Sequence, residues 1–346
     1  AFRDPFDAEL RDFPPPGERM LRYETAGRQY VVHRSVPGHD QNARDIHERV
    51  ETMSMWYIDG ATYCDLEDHR WVVYTVFEEH GGVEAAAAAA AAATASSSSS
   101  SSPLAPACTY SFVGYMTTFN FTNPFRAGGL PAVAMRVCQL LIMPHAQRQG
   151  HGKRLLRLAH DEVARLDMYE LTVEDPNEAF CRMRDAMDLR NCLAAGFFNF
   201  GDSAGANADA RAAAATATAT ATAMPLGAQL DDVMVNRVRD HLRITRGQIR
   251  RCYEVLKLKA LDAAAASITG QADSPGTAVD PAHAERSRRV REDTKAFRLE
   301  VKERLWNAHK AQLSKIEDKA QRLQALQMLW GEVAQGFRVC YANAFR

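Results

Sequence analysis

Apolar residues recur along this chain with two periods. Between Asp45 and Ile58, the residues Ile46, Val50, Met53 and Tyr57 fall three or four apart, which places them on one face of a helix. Trp71 to Phe77 is instead a continuous apolar run. Tyr110 to Phe121 is rich in aromatic and β-branched residues, and Arg136 to Met143 is apolar enough to be buried on both faces; all three are predicted strands. The helical period returns at Gly152 to Leu166, with Leu155, Leu156, Leu158, Ala159 and Val163 inward. A short strand at Glu170 to Val173 comes next, then a helix from Pro176 to Met187 with Pro176 in its first turn, then an aromatic strand at Gly196 to Phe200. Strands succeeded by strand–helix–strand–helix–strand predict an α/β fold built on a mixed sheet with flanking helices.

From Leu226 onward the pattern is all helical. Asp231 to His241, Thr245 to Leu261, Arg286 to Trp306 and Ala311 to Tyr341 are expected to form a small C-terminal helical bundle. Thr245 suits an N-cap, and Ile249, Cys252, Tyr253, Leu256 and Ala260 make a stripe. Two low-complexity stretches interrupt the pattern, an Ala/Ser run at 85–102 and an Ala-Thr repeat at about 203–223. Neither can offset its ordering entropy by burial, so both read as disordered insertions. A polar stretch at about 263–285, holding Gly270, Pro275, Gly276 and Pro281, reads as a further loop.

Composition changes this picture in three ways. The 46% hydrophobic content overstates the core, because much of it is homopolymeric alanine. A net charge of −1 gives no bulk attraction to nucleic acid or anionic membrane. The arginines at 286, 288, 289, 291 and 298 are interleaved with Glu285, Glu292, Asp293 and Glu300, as on a salt-bridged helix face, so no direct nucleic-acid contact is expected. No apolar run approaches the roughly 20 residues that cross a bilayer, and Ala1 to Asp12 lacks the apolar core of a signal peptide, so no membrane association is expected. The seven cysteines form no CxxC pair, so neither structural zinc nor a disulfide framework is expected, and a reducing compartment fits best.

The chemistry concentrates at Gln147-Arg148-Gln149-Gly150-His151-Gly152-Lys153, between the strand Val137 to Met143 and the next helix. Glycines let the backbone approach a phosphate, the first N–H groups of the helix point at it, and the helix dipole adds positive potential. Arg148, Lys153 and Arg154 add full charges. A Walker A loop needs Gly where Gln147 stands and Ser or Thr where Arg154 stands. A Rossmann turn needs Gly where Leu155 stands. What remains resembles the Q/R-x-x-G-x-G/A turn of the GNAT acetyltransferases, which implies acetyl-CoA as co-substrate.

Longer stretches sharpen the resemblance. His47-Glu48-Arg49, Trp56 to Ala61, Asp65 to Trp71, Val113 to Phe121, Gln139 to Ile142, Leu171 to Phe180 and Arg250 to Leu256 are similar to the catalytic subunit of type B histone acetyltransferases. That resemblance implies a GNAT-type core over 45–202, a linker at 203–223 and a C-terminal helical domain over 224–346. It makes 1–44 a remnant of a larger N-terminal histone-binding domain. It implies acetyl transfer, by direct attack, to lysines of the tail of free, newly made histone H-four. Glu174 would be the general base, with Asp175 and Asp59 (where the family has Glu) as supporting carboxylates. Leu140, Leu141, Ile142, the turn Gln147 to Lys153, and Asn177 would hold acetyl-CoA, with no metal. Phe119, Asn120 and Phe121 would contact the peptide, and the acids Asp59, Asp65, Glu67 and Asp68 would wall its groove. A WD-repeat histone chaperone is the implied partner, and nucleus and cytoplasm the implied location. The alternatives are a GNAT enzyme for another protein or amine, and a non-catalytic histone-binding protein of the same fold. Cys138, on the cofactor strand, is expected only to pack.

Overall fold

Sheet structure begins before the first expected element. In the computed structural model, which describes residues 14–80, 109–123, 132–200, 224–271 and 281–345, strands β1 (Glu18–Thr25) and β2 (Arg28–Ser35) form a hairpin. Ala26 and Gly27 both have positive φ, the geometry of a two-residue hairpin turn. Tyr30, Val31 and Val32 of β2 are fully buried, so this segment is part of the sheet rather than a remnant of a separate domain. The expected insertions at 85–102 and 203–223 lie outside the described residues.

The described chain divides into two compact units between Asp175 and Pro176. In the first, β1 and β2 are succeeded by helices α1 (Gln41–Glu51) and α2 (Ser54–Tyr57), and then by β3 (Trp71–His80), β4 (Thr109–Asn123) and β5 (Ala132–Ile142). A single 3-10 turn at Pro144–Ala146 leads into α3 (His151–Arg165) and β6 (Leu171–Val173). The six strands lie in sequence order, antiparallel throughout except for the β5–β6 pair, which is parallel because α3 returns the chain to the start of the strand. Tyr74, Tyr115, Met116, Met135, Leu155 and Leu156 are its largest fully buried side chains, with Tyr30 of the hairpin. Asp40 starts α1 by accepting a hydrogen bond from the Ala43 amide at 3.1 Å.

A buried carboxylate pins α3 to the sheet. Glu162 accepts hydrogen bonds from Tyr74 of β3, from Arg34 Nε of β2 at 3.2 Å and from Arg165 Nη2 at 2.7 Å. Burial alone would raise the Glu162 pKa, but these donors outweigh it and hold the carboxyl below its ordinary value.

The second unit is helical: α4 (Glu178–Ala194), α5 (Asp232–Leu242), α6 (Arg246–Gln271), α7 (Pro281–Ala308), α8 (Lys310–Leu313) and α9 (Lys319–Ala344). Its core joins Leu189 and Cys192 of α4 to Phe198, Val238, Tyr253, Phe297, Val301 and Phe337. Placing the domain boundary at 203–223 therefore misassigns α4, whose buried face packs within the helical core. The expected strand at Gly196 to Phe200 is also absent. Phe197 and Phe198 are anchors of that helical core, and only Phe200 makes an isolated bridge, to Met224. Apolar content without clean alternation did not separate the two cases.

Three boundaries differ as well. The loop expected at 263–285 is helical at both ends, through Gln271 and from Pro281, and 272–280 lies outside the described residues. The helix expected over Ala311 to Tyr341 is broken, because Asp318 caps a new start by accepting from the Ala320 and Gln321 amides. Pro176 precedes α4 rather than entering it; Asn177 is the cap, accepting from the Phe180 amide at 2.8 Å.

Candidate active site

The site grows from the way β5 is paired. Its first half is flanked on both sides, with Met135, Arg136 and Val137 registered against Leu171, Thr172 and Val173 of β6. The last contact on that side is the Glu174 amide donating to the Val137 carbonyl at 3.0 Å. There β6 ends, while β5 runs on to Ile142 beside β4. At the same point Cys138 forms a bulge, since Thr117 pairs with Gln139 and Thr118 with Val137.

Beyond the bulge the backbone groups of β5 alternate. The Met143 amide donates to Val113 on β4, and the Leu141 carbonyl lies so close to Gly114 that a Cβ there would approach it to 2.3 Å. Leu141 thus faces β4, and Leu140 and Ile142 present their N–H and C=O groups to the open side left by β6. The Ile142 carbonyl is taken by Gln147 Nε2 at 2.9 Å, which folds the turn back over the strand end. Gly114 is what permits β4 and β5 to approach this closely while the other edge stays open.

The turn Gln147 to Lys153 has the backbone of an anion cradle. Arg148 and Gly150 have φ of 65° and 87°, and Gly150 is the N-cap of α3. This left-handed geometry turns successive amides toward one side, and the leading amides of α3 have no partner inside the helix. Gln149 Nε2 donates to the His145 carbonyl at 3.3 Å, and Arg154 Nη1 to the Gln149 carbonyl at 3.3 Å. The N-terminal hairpin braces the turn. Tyr23 Oη lies 2.6 Å from His151 Nδ1, the Tyr30 ring lies 4.5 Å from that imidazole, and the Arg154 guanidinium lies over the Tyr23 ring at 4.5 Å.

Two of the expected cofactor residues have side chains turned away from the turn and the open edge. The His151 side chain is buried against the hairpin, and burial, then Arg154, lowers its pKa, so it adds no positive charge to the turn, and its contribution there is its main chain. The Leu141 side chain packs with Val73 and Tyr115 in the core, and its main chain belongs to β4. Leu140, Ile142, Gln147, Arg148, Gln149, Gly150, Gly152 and Lys153 all lie on the open strand edge or in the turn. Asn177 stands after the division between the units, its side-chain oxygen occupied in capping α4.

The candidate base, Glu174, is exposed at the end of β6, beside the bulge. Burial, and then the neighbouring Glu174 carboxylate, push the Cys138 pKa up to about 12, while the thiol itself donates to the Arg136 carbonyl at 3.6 Å. Cys138 therefore does more than pack: it is the neighbour that meets Glu174. Asp175 is exposed with φ 31°, a strained backbone conformation for a non-glycine residue, and it does not cap the next helix. Asp59 lies in the exposed turn after α2, and no hydrogen bond joins it to Glu174 or Asp175 among the described residues.

Phe119, Asn120 and Phe121 do not share a face, because the pleat of β4 sends Asn120 opposite to the two rings. The rings are half-buried under cations: Arg70 lies over Phe119 at 4.7 Å and Arg136 over Phe121 at 4.9 Å. Asn120 Oδ1 is buried without a hydrogen-bond partner. The acids expected as a groove wall are partly gathered. A cavity of about 420 Å³ is lined by Glu48, Glu51, Asp65 and Glu67, with Arg44, Thr52, Tyr63, Cys64 and Leu66. Asp68 is turned to Arg70, 2.5 Å away. Glu48 and Glu51 were not anticipated in this wall, because acids spaced one turn apart are too common on helices to flag them.

No family model matches the chain. It is similar to the histone acetyltransferase type B catalytic subunit of Mycosarcoma maydis, 26% identical over 309 residues, which is 89% of this chain and 53% of that protein. The protein of the same description from Aspergillus oryzae is 31% identical over 207 residues, 53% of this chain and 36% of the relative. The chain thus spans about half the length, or less, of these curated relatives. The crystal structure of an aminoglycoside acetyltransferase from a soil metagenomic sample overlays 47% of this chain and 85% of its own, at 12% identity and a TM-score of 0.28, too loose a likeness to bear on the chemistry.

Proposed function

We propose that this chain is an acetyl-CoA-dependent histone lysine acetyltransferase of type B, acting on the tail of free histone H-four. The observation that carries the reading is the opening between β5 and β6. An anion-binding turn caps its far end, an unpaired strand edge runs along it, and a carboxylate, Glu174, stands at its mouth. The similarity to type B catalytic subunits supports the histone class of substrate.

The turn Gln147 to Lys153 would take the pyrophosphate of acetyl-CoA on its backbone amides, with Arg148 and Lys153 adding charge. The acyl arm would lie along Leu140 and Ile142. An amine of pKa about 10.4 must lose a proton before it can attack. Glu174 accepts that proton, the neutral amine adds to the thioester carbonyl, and a β5 amide on the open edge holds the developing oxyanion. Collapse of the tetrahedral intermediate breaks the C–S bond and releases CoA thiolate, which takes up the second proton that the attacking nitrogen loses on becoming an amide. Direct transfer is favoured over a cysteine relay, because the thiolate is the nucleophilic form and Cys138 is held as thiol. The acidic cavity beside α1 suits a lysine-rich peptide. Asp175 and Asp59 are supporting carboxylates in this reading, and Phe119, Asn120 and Phe121 contact the peptide. A WD-repeat histone chaperone as partner, and residence in nucleus and cytoplasm, rest on the family likeness alone.

The test is transfer of radiolabel from acetyl-CoA to free histones and to nucleosomes. Labelling of free histone H-four above nucleosomes is expected; labelling of nucleosomes only, or of no histone, overturns the reading. Glu174→Gln should lower kcat by roughly 100-fold or more, as loss of a general base does, while acetyl-CoA binding by calorimetry stays unchanged.

A further inference from the structure

The most unusual polar cluster in the first unit lies beneath the acidic cavity. His47 and Glu51 are four residues apart on α1 and share a face, and both are almost completely buried, at 2% and 3% exposure. Cys64 comes from the loop after α2. One ligand atom from each residue can be chosen so that all three lie within 4.8 Å of one another. The imidazole is the telling member. Neither His47 Nδ1 nor Nε2 has a hydrogen-bond partner, although the ring is sealed from solvent and lies edge-on to Tyr115 at 4.9 Å. Nε2 points at Glu51 Oε1, 3.8 Å away, too far for a hydrogen bond. A buried imidazole rarely leaves both nitrogens unused.

We propose that His47, Glu51 and Cys64 form a zinc-binding site. A tetrahedral zinc ion with bonds of about 2.0–2.3 Å sets its donor atoms about 3.3–3.8 Å apart, so small side-chain rotations suffice to close the observed triangle. One nitrogen, one oxygen and one sulfur suit zinc; calcium and magnesium require oxygen donors and more of them. The surroundings already orient the donors. The Cys64 amide donates to Glu51 Oε1 at 2.5 Å, and the loop is held two residues earlier by Gln139 Nε2 donating to the Thr62 carbonyl at 2.8 Å. Glu51 and Cys64 also line the cavity, which gives the fourth coordination position to water. On binding, the Cys64 thiol gives up its proton to solvent and the thiolate joins the metal. The ion would clamp the loop carrying Asp59, Cys64 and Asp65 to α1, and so fix the acidic wall. The sequence offers little to find such a site, since it lacks the paired cysteines that announce zinc.

The experiment uses the full chain, purified without chelator. Zinc content after extensive dialysis is measured by elemental analysis, and cobalt(II) is titrated as a spectroscopic substitute. One zinc per chain is expected, with a thiolate-to-cobalt charge-transfer band and the intense visible bands of tetrahedral cobalt; competition by zinc should abolish both. His47→Ala and Cys64→Ala should each weaken zinc at least about tenfold, on the scale known for perturbing such sites. Glu51→Gln, which keeps an acceptor for the Cys64 amide, guards against loss of fold and should also weaken the metal, with circular dichroism unchanged. Zinc should raise the melting temperature of the native protein and not of the variants. Failure of the native chain to bind zinc or cobalt, or binding that all three variants retain, overturns the proposal.

Discussion

Single residues carry the candidate site unevenly. Gly150 holds a left-handed φ of 87°, and a Cβ there would come within 2.7 Å of Arg154 Nη1. The guanidinium can swing away, so the lasting cost of a side chain is the backbone. Gly150→Ala should lose about 1–2 kcal/mol of stability in chemical denaturation, and should raise the KM for acetyl-CoA more than it lowers kcat. Equal effects on both constants would argue that the turn does not bind the cofactor. The glycine pattern and the charges of this turn were legible from the sequence. The fate of His151 was not, because a polar residue in an anion motif gives no sign that an upstream hairpin will bury its ring. The place of Cys138 beside Glu174 was not legible for a similar reason: a bulge depends on the register of two strands, and one strand's sequence does not contain it.

Elements position those residues. Helix α3 must present its N-terminus at the end of β5, and it is held there by a buried charge as well as by apolar packing. Arg34, Tyr74 and Arg165 converge on Glu162 from two strands and from the helix's own last turn. Glu162→Ala would leave Arg34 half-buried without its carboxylate and the Tyr74 hydroxyl buried without an acceptor. A loss of about 2–3 kcal/mol in urea unfolding is expected, reduced from the cost of a fully buried pair because Arg34 is partly hydrated. Glu162→Gln, which keeps an acceptor, should lose less. Most elements of the first unit were foreseeable because long apolar runs and a 3.6-residue period are strong signals. The β1–β2 hairpin was missed, although Ala26-Gly27 between two strand-like runs is a hairpin cue, because Glu18 to Thr25 is largely exposed and too polar to stand out.

At the scale of the whole molecule, the division between Asp175 and Pro176 puts the end of the sheet unit and the start of the helical unit at adjacent residues. Helix α4 then belongs with the helices that come after it in the chain, since Leu189 and Cys192 pack in the same core as Tyr253 and Phe337. A fragment spanning 176–346 should melt as one cooperative helical transition by circular dichroism. A fragment spanning 224–346 lacks α4 and the Phe197–Phe198 anchors, and should melt lower and less cooperatively. Equal melting temperatures would return α4 to the first unit.

The sequence by itself determined the class of fold, the strand–turn–helix that suits a phosphate-bearing co-substrate, and the acid at the end of β6. Each of these depends on neighbours a few residues apart, on pleat and helix periods and on turn chemistry. Only the tertiary structure decided which strand edges stay open, that Cys138 meets Glu174, that α4 packs in the helical core, and that His47, Glu51 and Cys64 share a buried corner. Those outcomes depend on the registry of distant segments, where burial and the pairing of polar groups choose among arrangements that local patterns leave equally good.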